Sequence, residues 1–321
     1  MDININMKIL VTGGAGFIGS HIVDKLLKLG HTVRVVDNLS TGSMKNVELF
    51  TNNKNYEFIY GDISDIEVCR KAVKNINMVS HQAAIGSVPR SIDDPLTSHK
   101  ANVDGFFNIL VASKDEKINR IVYASSSSVY GDDTTLPKKE DKTGKLLSPY
   151  AGTKAIDEIY GGLFTRCYNM ECIGLRYFNV FGQRQNPNGC YAAVIPKFIM
   201  EIHKNIRPTI NGDGNYSRDF TFVENVVKAN IIALFTENRE CFGDVFNIGA
   251  GGRITLMEMF NMICEIMGKS NITPIFGEFR KGDISHSNAD ISKAMEKLEY
   301  TPNVSFYEGL RRTISYFLLD H

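Results

Sequence analysis

The chain has no charge imbalance to build on, with 36 basic side chains against 36 acidic ones in 321 residues. A pI near 7.0 argues against a strongly electrostatic partner such as nucleic acid or an anionic membrane surface. Cysteines are few and scattered, at 69, 167, 172, 190, 241 and 264, without Cys-x-x-Cys spacing and without histidines beside them. That excludes a disulfide framework and a zinc site, and suits buried thiols in a reducing cytoplasm. No apolar run reaches the ~20 residues that cross a bilayer. The first apolar run, Ile9-Leu10-Val11, breaks at once into glycines, so no signal peptide is expected. Repeats, low-complexity tracts and an obvious flexible linker are also missing. The expectation is a cytoplasmic protein without a metal, 43% hydrophobic and long enough for one large domain or two. Residues 1–6 show no evident chemistry, and Met7 is a second candidate start.

What is present begins with a strand–helix–strand unit. Residues 8–12 are a short buried strand that runs into Gly13-Gly14-Ala15-Gly16-Phe17-Ile18-Gly19. A helical pattern over 21–29 ends at Gly30, and a second strand over 32–36 ends in Asp37. Glycines at this turn let the backbone approach a pyrophosphate, whose charge then sits at a helix N-terminus. Gly13, Gly16 and Gly19, with the intervening Phe17 and Ile18, are the expected phosphate contacts. An acidic residue at the end of the second strand accepts hydrogen bonds from the adenosine ribose. Asp37 stands there, next to Asn38, and its carboxylate repels a 2′-phosphate, so NAD is favoured over NADP.

The alternation continues with a strand over 56–60 leading to Asp62 and Ile63, where Asp62 either meets the adenine or caps the next helix. A strand over 76–82 follows, bringing Gln82 and the small Ala83 and Ala84 to the cofactor. His81, at the end of that strand, reads as a hydrogen-bonded structural residue. A long helix over 95–113 carries Asn102, which faces either the cofactor or the sheet. Such alternation predicts an α/β fold, a doubly wound parallel Rossmann-type sheet whose ligands bind beyond the strand C-termini.

A fifth strand, over 118–125, delivers Ser125-Ser126-Ser127-Ser128 at its C-terminal end. Pro149 then opens a helix on which Tyr150 and Lys154 lie at i and i+4, one above the other. A hydroxyl, a phenol and an ammonium can converge there. An opposite charge within ~4–6 Å favours the ionised form of an acid, which a tyrosine acting as general base near neutral pH requires. By itself Tyr-x-x-x-Lys is an ordinary half-exposed helix face. The nucleotide-binding turn upstream is what gives it meaning.

Beyond residue 180 the texture changes. Turn-rich stretches over 183–189 and 211–215 surround an apolar segment over 191–200, and helical patterns recur over 223–235, 255–267 and 305–319. The expected organisation is an NAD-binding domain over 1–180 plus roughly 221–240, with a smaller mixed lobe from 181–220 plus roughly 241–321. The cleft between them is the expected ligand site. Arg218 and Arg280 belong to it, with His286 a further candidate, and arginines there suit bidentate binding of diphosphate oxygens.

Five ordered motifs carry a resemblance: Thr-Gly-Gly-Ala-Gly-Phe-Ile-Gly over 12–19, Ser-Ser-Val-Tyr-Gly over 127–131, Ser-Pro-Tyr-x-x-x-Lys over 148–154, Arg-Tyr-Phe-Asn-Val-Phe-Gly over 176–182 and Arg-x-Gly-Asp over 280–283. Together they resemble the extended short-chain dehydrogenase/reductases, and within these the nucleotide-sugar 4-epimerases. The segments 186–196 and 279–287 are similar to the branch acting on UDP-N-acetylhexosamines for surface polysaccharides. The resemblance implies Tyr150 as base, Lys154 holding the nicotinamide ribose, Ser126 on the reacting hydroxyl with Ser127 and Ser128 near the sugar, and Tyr177 near the nicotinamide. It further implies Asn179 on the diphosphate, Arg218 and Arg280 on phosphate oxygens, and Asp283 on the uridine ribose. Ala193 and Val194 would line the nucleotide side, Thr209 and Asn211 flank the uracil, and Ser87 and Lys197 complete the substrate contacts. Plain galactose epimerases carry a bulky tyrosine where this chain has Ser287. The dehydratases carry Thr-Asp-Glu where it has Ser126-Ser127-Ser128, so the acidic pair that eliminates water is missing. The resemblance therefore implies C4 epimerisation of UDP-GlcNAc and UDP-GalNAc through a 4-keto sugar, by a homodimer. The alternatives are a 4-epimerase of UDP-glucose, UDP-glucuronate or a UDP-N-acetyl-uronic acid, or a non-catalytic NAD sensor.

Overall fold

Strands form on short runs rich in β-branched, aromatic and other apolar residues: Lys8–Thr12 (β1), Thr32–Asp37 (β2), Tyr56–Tyr60 (β3), Met78–His81 (β4), Arg120–Ser126 (β5) and Glu171–Tyr177 (β6). In the computed structural model, which describes residues 6–188, 192–279 and 285–319, they make a seven-stranded sheet with a further strand, Val245–Ile248. Its order is β3-β2-β1-β4-β5-β6 and then Val245–Ile248, and every pairing is parallel. The order reverses between β1 and β4, which opens a crevice at the strand C-termini where doubly wound sheets bind ligands.

Alternation along each strand feeds two cores. Ile9 and Val11 of β1 join one apolar cluster, while Leu10 between them joins the other. The first cluster lies under the opening helix Phe17–Lys28 and helix Val223–Phe235, and extends without a break to Phe198, Met259 and Phe317 of the smaller lobe. The second lies under helices Ile66–Val73 and Gly105–Asp115. Each fully buried valine, leucine or isoleucine contributes roughly 1.5–3 kcal/mol, so the shared cluster ties the lobe to the sheet.

The long helix expected over 95–113 is helical throughout but not uniform. Pro95–His99 and Gly105–Asp115 are joined through a π-helical turn, Lys100–Asp104. Helix Pro149–Tyr168 has strong local signals: the Ser148 hydroxyl accepts from Ala151 N, Pro149 occupies the first turn, and Asn169 closes the end in the left-handed region at φ 55. Gly161 lets this helix settle on the sheet, because a Cβ there would press on the Tyr123 phenol at 2.7 Å.

The smaller lobe packs helices Val194–His203, Leu256–Ile266 and Phe306–Leu319 against one another. Around them lie strands of two or three residues: Thr209–Asn211 beside Ile275–Gly277, and Ser217–Arg218 between Ile254–Thr255 and His286–Ser287. The expected domain boundary near residue 240 is crossed by the sheet, since Val245–Ile248 pairs with β6. Four residues without a distinctive pattern do not announce a strand.

Candidate active site

The crevice at the β1–β4 reversal is lined by Gly13, Gly16, Phe17, Ile18, Gly19, Asp37, Asn38, Asp62, Ile63, Gln82, Ala83, Ala84, Tyr150, Lys154 and Tyr177. These are the expected cofactor residues with one exception. Asn102 is buried away from the crevice, where it accepts from Ile85 N at 2.7 Å, donates to Ile85 O at 3.3 Å and donates to the Thr153 hydroxyl at 3.0 Å. It joins the loop after β4 to the Tyr150 helix.

The crevice fits a dinucleotide. Gly16 caps the opening helix without any side-chain bond, so the first-turn N–H groups are left to an anion. Gly13 has φ 67, and a Cβ on it would lie 2.6 Å from Ala83 N. At the far end Asp37 accepts from Ala15 N at 3.0 Å and from Leu39 N at 2.7 Å. Burial pushes its carboxyl up, against those two bonds. Asn38 donates to Asp62 at 2.9 Å; Asp62 is held low because bonds from Ser64 and Asn38 and the charge of Lys100 outweigh burial. Ser40, Thr41, Gly86, Ala101 and Ser125 also line the crevice and were not among the expected residues. Ser40 and Thr41 lie three and four residues after Asp37, and that closeness is the available signal.

At the inner end, Lys154 donates to Ala124 O at 2.9 Å and to Asp157 at 3.0 Å. Burial works against its charge, but Asp157 and Tyr150 outweigh it and raise its pKa. Tyr150 is anchored at its backbone, N–H to the Ser91 hydroxyl at 3.0 Å, and its phenol oxygen faces Gly86. Tyr177 donates to Gln82 at 3.0 Å and accepts from Asn230 at 2.8 Å; burial, outweighing these bonds, pushes its pKa up and keeps it a neutral wall residue. His81 is buried against Thr12 at 2.9 Å and burial, then Lys154, pushes it down to about 3. It is a neutral structural ring.

The serine run divides its tasks. Ser125 donates to Glu158 at 2.5 Å, and Glu158 also holds Arg176 through two bonds of 2.8 Å. Ser126 ends β5 and its hydroxyl accepts from Ser128 N at 3.1 Å; Ser127 follows in the same turn. The Ser128 hydroxyl is buried without a partner among the described residues.

A second pocket opens from the first, sharing Gly16, Phe17, Thr41 and Gly86, and is lined by Ser87, Lys45, Arg90, Arg184, Gln185 and Tyr316 among others. Ser87 caps the helix Val88–Asp93. Arg184 and Gln185 lie in a stretch that reads from sequence as a turn, and Arg90 has no periodic signal at all. Asn179, in the left-handed region at φ 31, donates to Asp219 O at 3.4 Å. Ala193 and Val194 begin helix Val194–His203, where Lys197 pairs with Glu201 at 3.7 Å. Thr209 and Asn211 share one short strand. Arg218 donates to Ser217 O and Ser285 O, and its Cα is paired in register with Ser287, which is buried. His286 bonds the Ser217 hydroxyl at 2.8 Å. Arg280 and Asp283 lie outside the described residues.

A nucleotide crevice ending in a serine turn, a tyrosine and a buried lysine matches a known family. Residues 9–249 fit the model of the NAD dependent epimerase/dehydratase family. The chain belongs to that family. NAD is its cofactor, and it is a nucleotide-sugar epimerase. It is 40% identical over 310 residues, 96% of this chain and 97% of the relative, to a putative UDP-glucose 4-epimerase of Methanocaldococcus jannaschii. It is similar in structure to a UDP-N-acetylglucosamine 4-epimerase from Methanobrevibacter ruminantium in complex with UDP-N-acetylmuramic acid, with a TM-score of 0.93, 39% identity and coverage of 98% of this chain and 99% of that one. It is also similar to a UDP-glucuronic acid 4-epimerase from Bacillus cereus in complex with UDP-glucuronic acid and NAD, with a TM-score of 0.91, 33% identity and coverage of 98% and 100%. Among the described residues no helix is long and apolar enough to cross a membrane.

Proposed function

We propose that this epimerase interconverts UDP-GlcNAc and UDP-GalNAc at C4, with Tyr150 as the acid–base residue. The observation that carries the acetamido assignment is Ser287, a small buried hydroxyl in register with Arg218, where a bulky side chain would narrow the space for a C2 substituent. Bound in its crevice, NAD supplies reversible oxidation at C4. The protein's part is to take the O4 proton on Tyr150, keep Lys154 charged beside it, and return the proton to O4 once the sugar has presented its opposite face. Ser126 holds the reacting hydroxyl, with Ser127 and Ser128 near the sugar. Arg218, with Arg280 and Asp283, would hold the UDP end while the sugar turns, so binding energy remote from C4 retains the intermediate. A retained cofactor follows, because the reaction has no net oxidation.

A homodimer accords with the exposed apolar face formed by Leu96, Phe107, Ile159 and Leu163. On helix Pro149–Tyr168, Phe164 is buried, packed on Phe107 and Tyr168, and takes no part in that face. The decisive assay mixes purified protein with UDP-GlcNAc and no added cofactor and looks for UDP-GalNAc. Turnover of UDP-glucose or UDP-glucuronate alone would replace the acetamido substrate, and no turnover of any UDP-sugar would return the protein to the sensor reading.

A further inference from the structure

Asp157 has no role in the chemistry described so far, yet it is the carboxylate nearest to it. Its Oδ2 accepts from Lys154 Nζ at 3.0 Å, and the two side chains are 1% and 2% exposed. Its other oxygen, Oδ1, has no partner among the described residues. A buried carboxylate with an unanswered oxygen is costly, and an amide or a small apolar side chain would fill the same place on the helix at lower cost. Lys154 has three N–H donors. Ala124 O and Asp157 take two, which leaves one for the crevice.

The surroundings leave Lys154 with little other support. On the same helix, Glu158 is engaged by Arg176 and Ser125 and supports the Lys154 ammonium less than Asp157 does. On β5, Tyr123 is held neutral by burial, with Glu158 adding to the effect. On β6, burial pushes Cys172 up to about 12, and on β4 His81 is neutral. Tyr150 is the remaining neighbour, and it is the group that Lys154 is meant to serve.

We propose that Asp157 is a positioning residue that fixes the Lys154 ammonium beside Tyr150 and keeps it protonated through the working pH range. This rests on the reading of Tyr150 and Lys154 as the acid–base pair. The sign follows from burial. Without the carboxylate, desolvation disfavours the ammonium, and Lys154 loses its proton at a lower pH. An opposite charge at this range is typically worth roughly 1–3 pH units.

The test is the pH profile of kcat for Asp157→Asn and Asp157→Ala in the NAD-loaded protein, with UDP-GlcNAc or whichever UDP-sugar the protein turns over. The alkaline limb should move to lower pH by about one unit or more in both variants, with KM for the UDP-sugar within about twofold. A profile that keeps the wild-type limb, or one lowered equally at every pH, would overturn the proposal. So would failure of both variants to fold, since the carboxylate would then serve the fold. Tyr150→Phe keeps the two readings apart. Retained activity there removes the acid–base pair itself, whereas an inactive Tyr150→Phe beside an unshifted Asp157→Asn removes only the role of Asp157.

Discussion

On the cofactor side of the cleft, parallel strands of four to seven residues bring Gly13, Asp37, Gln82 and Ser125 to one edge. On the side proposed to hold the sugar, Arg218 and Ser287 sit on strands of two residues each, from stretches far apart in the chain. The first wall is shaped by a sheet buried on both faces, so each side chain there inherits its position from extensive packing. The second depends on a few backbone pairs, such as Ser217 N to Ser285 O at 3.0 Å and Asp219 N to Ser287 O at 2.8 Å. Changes on the first wall should therefore alter chemistry, and changes on the second should alter which sugar is accepted.

Tyr150→Phe is the strongest way to break that contrast. It removes a general acid–base group from the sheet-built wall, so kcat should fall by roughly 10²–10⁴ while calorimetry shows UDP-sugar binding almost unchanged. A comparable loss of binding would mean that the two walls are not separable. Ser287→Tyr probes the other side. Overpacking costs typically ~1–3 kcal/mol, about tenfold to a hundredfold in rate, and it should fall on UDP-GlcNAc and UDP-GalNAc while sparing UDP-glucose and UDP-galactose. An unchanged ratio of kcat/KM between the two pairs would remove Ser287 as the gate. The smallest effect on turnover is expected from Ile159→Asp, which touches neither wall. Activity should stay within about twofold, as for surface substitutions generally, while sedimentation shifts from dimer to monomer. A wild-type species already monomeric at micromolar concentration would end the dimer reading.

The legibility of the sequence follows the same division. Glycine spacing, Asp37 at a strand end and the Tyr150–Lys154 pair are local signals, one turn or one strand long, and the crevice gathers those side chains as such signals imply. Asn102 could not be placed from sequence because its direction depends on a π-helical turn, which shifts the helix phase. Val245–Ile248 is too short to declare that it joins a sheet begun over two hundred residues earlier. Arg90 and Arg184 reach the second pocket from a short helix and a turn, where neither periodicity nor a motif points inward. Asp157 reads on the helix as one more polar residue, and only burial shows that it meets Lys154.

Asp37 carries a consequence for engineering. Its two oxygens answer Ala15 N in the glycine turn and Leu39 N beyond β2, so the group that would discriminate against a ribose phosphate also closes the loops around it. The expected cofactor preference and the loop shape would thus be written in one side chain. A single replacement by a neutral residue would release two backbone donors along with the repulsion, which makes a change of cofactor a redesign of the whole turn from Gly13 to Ser40.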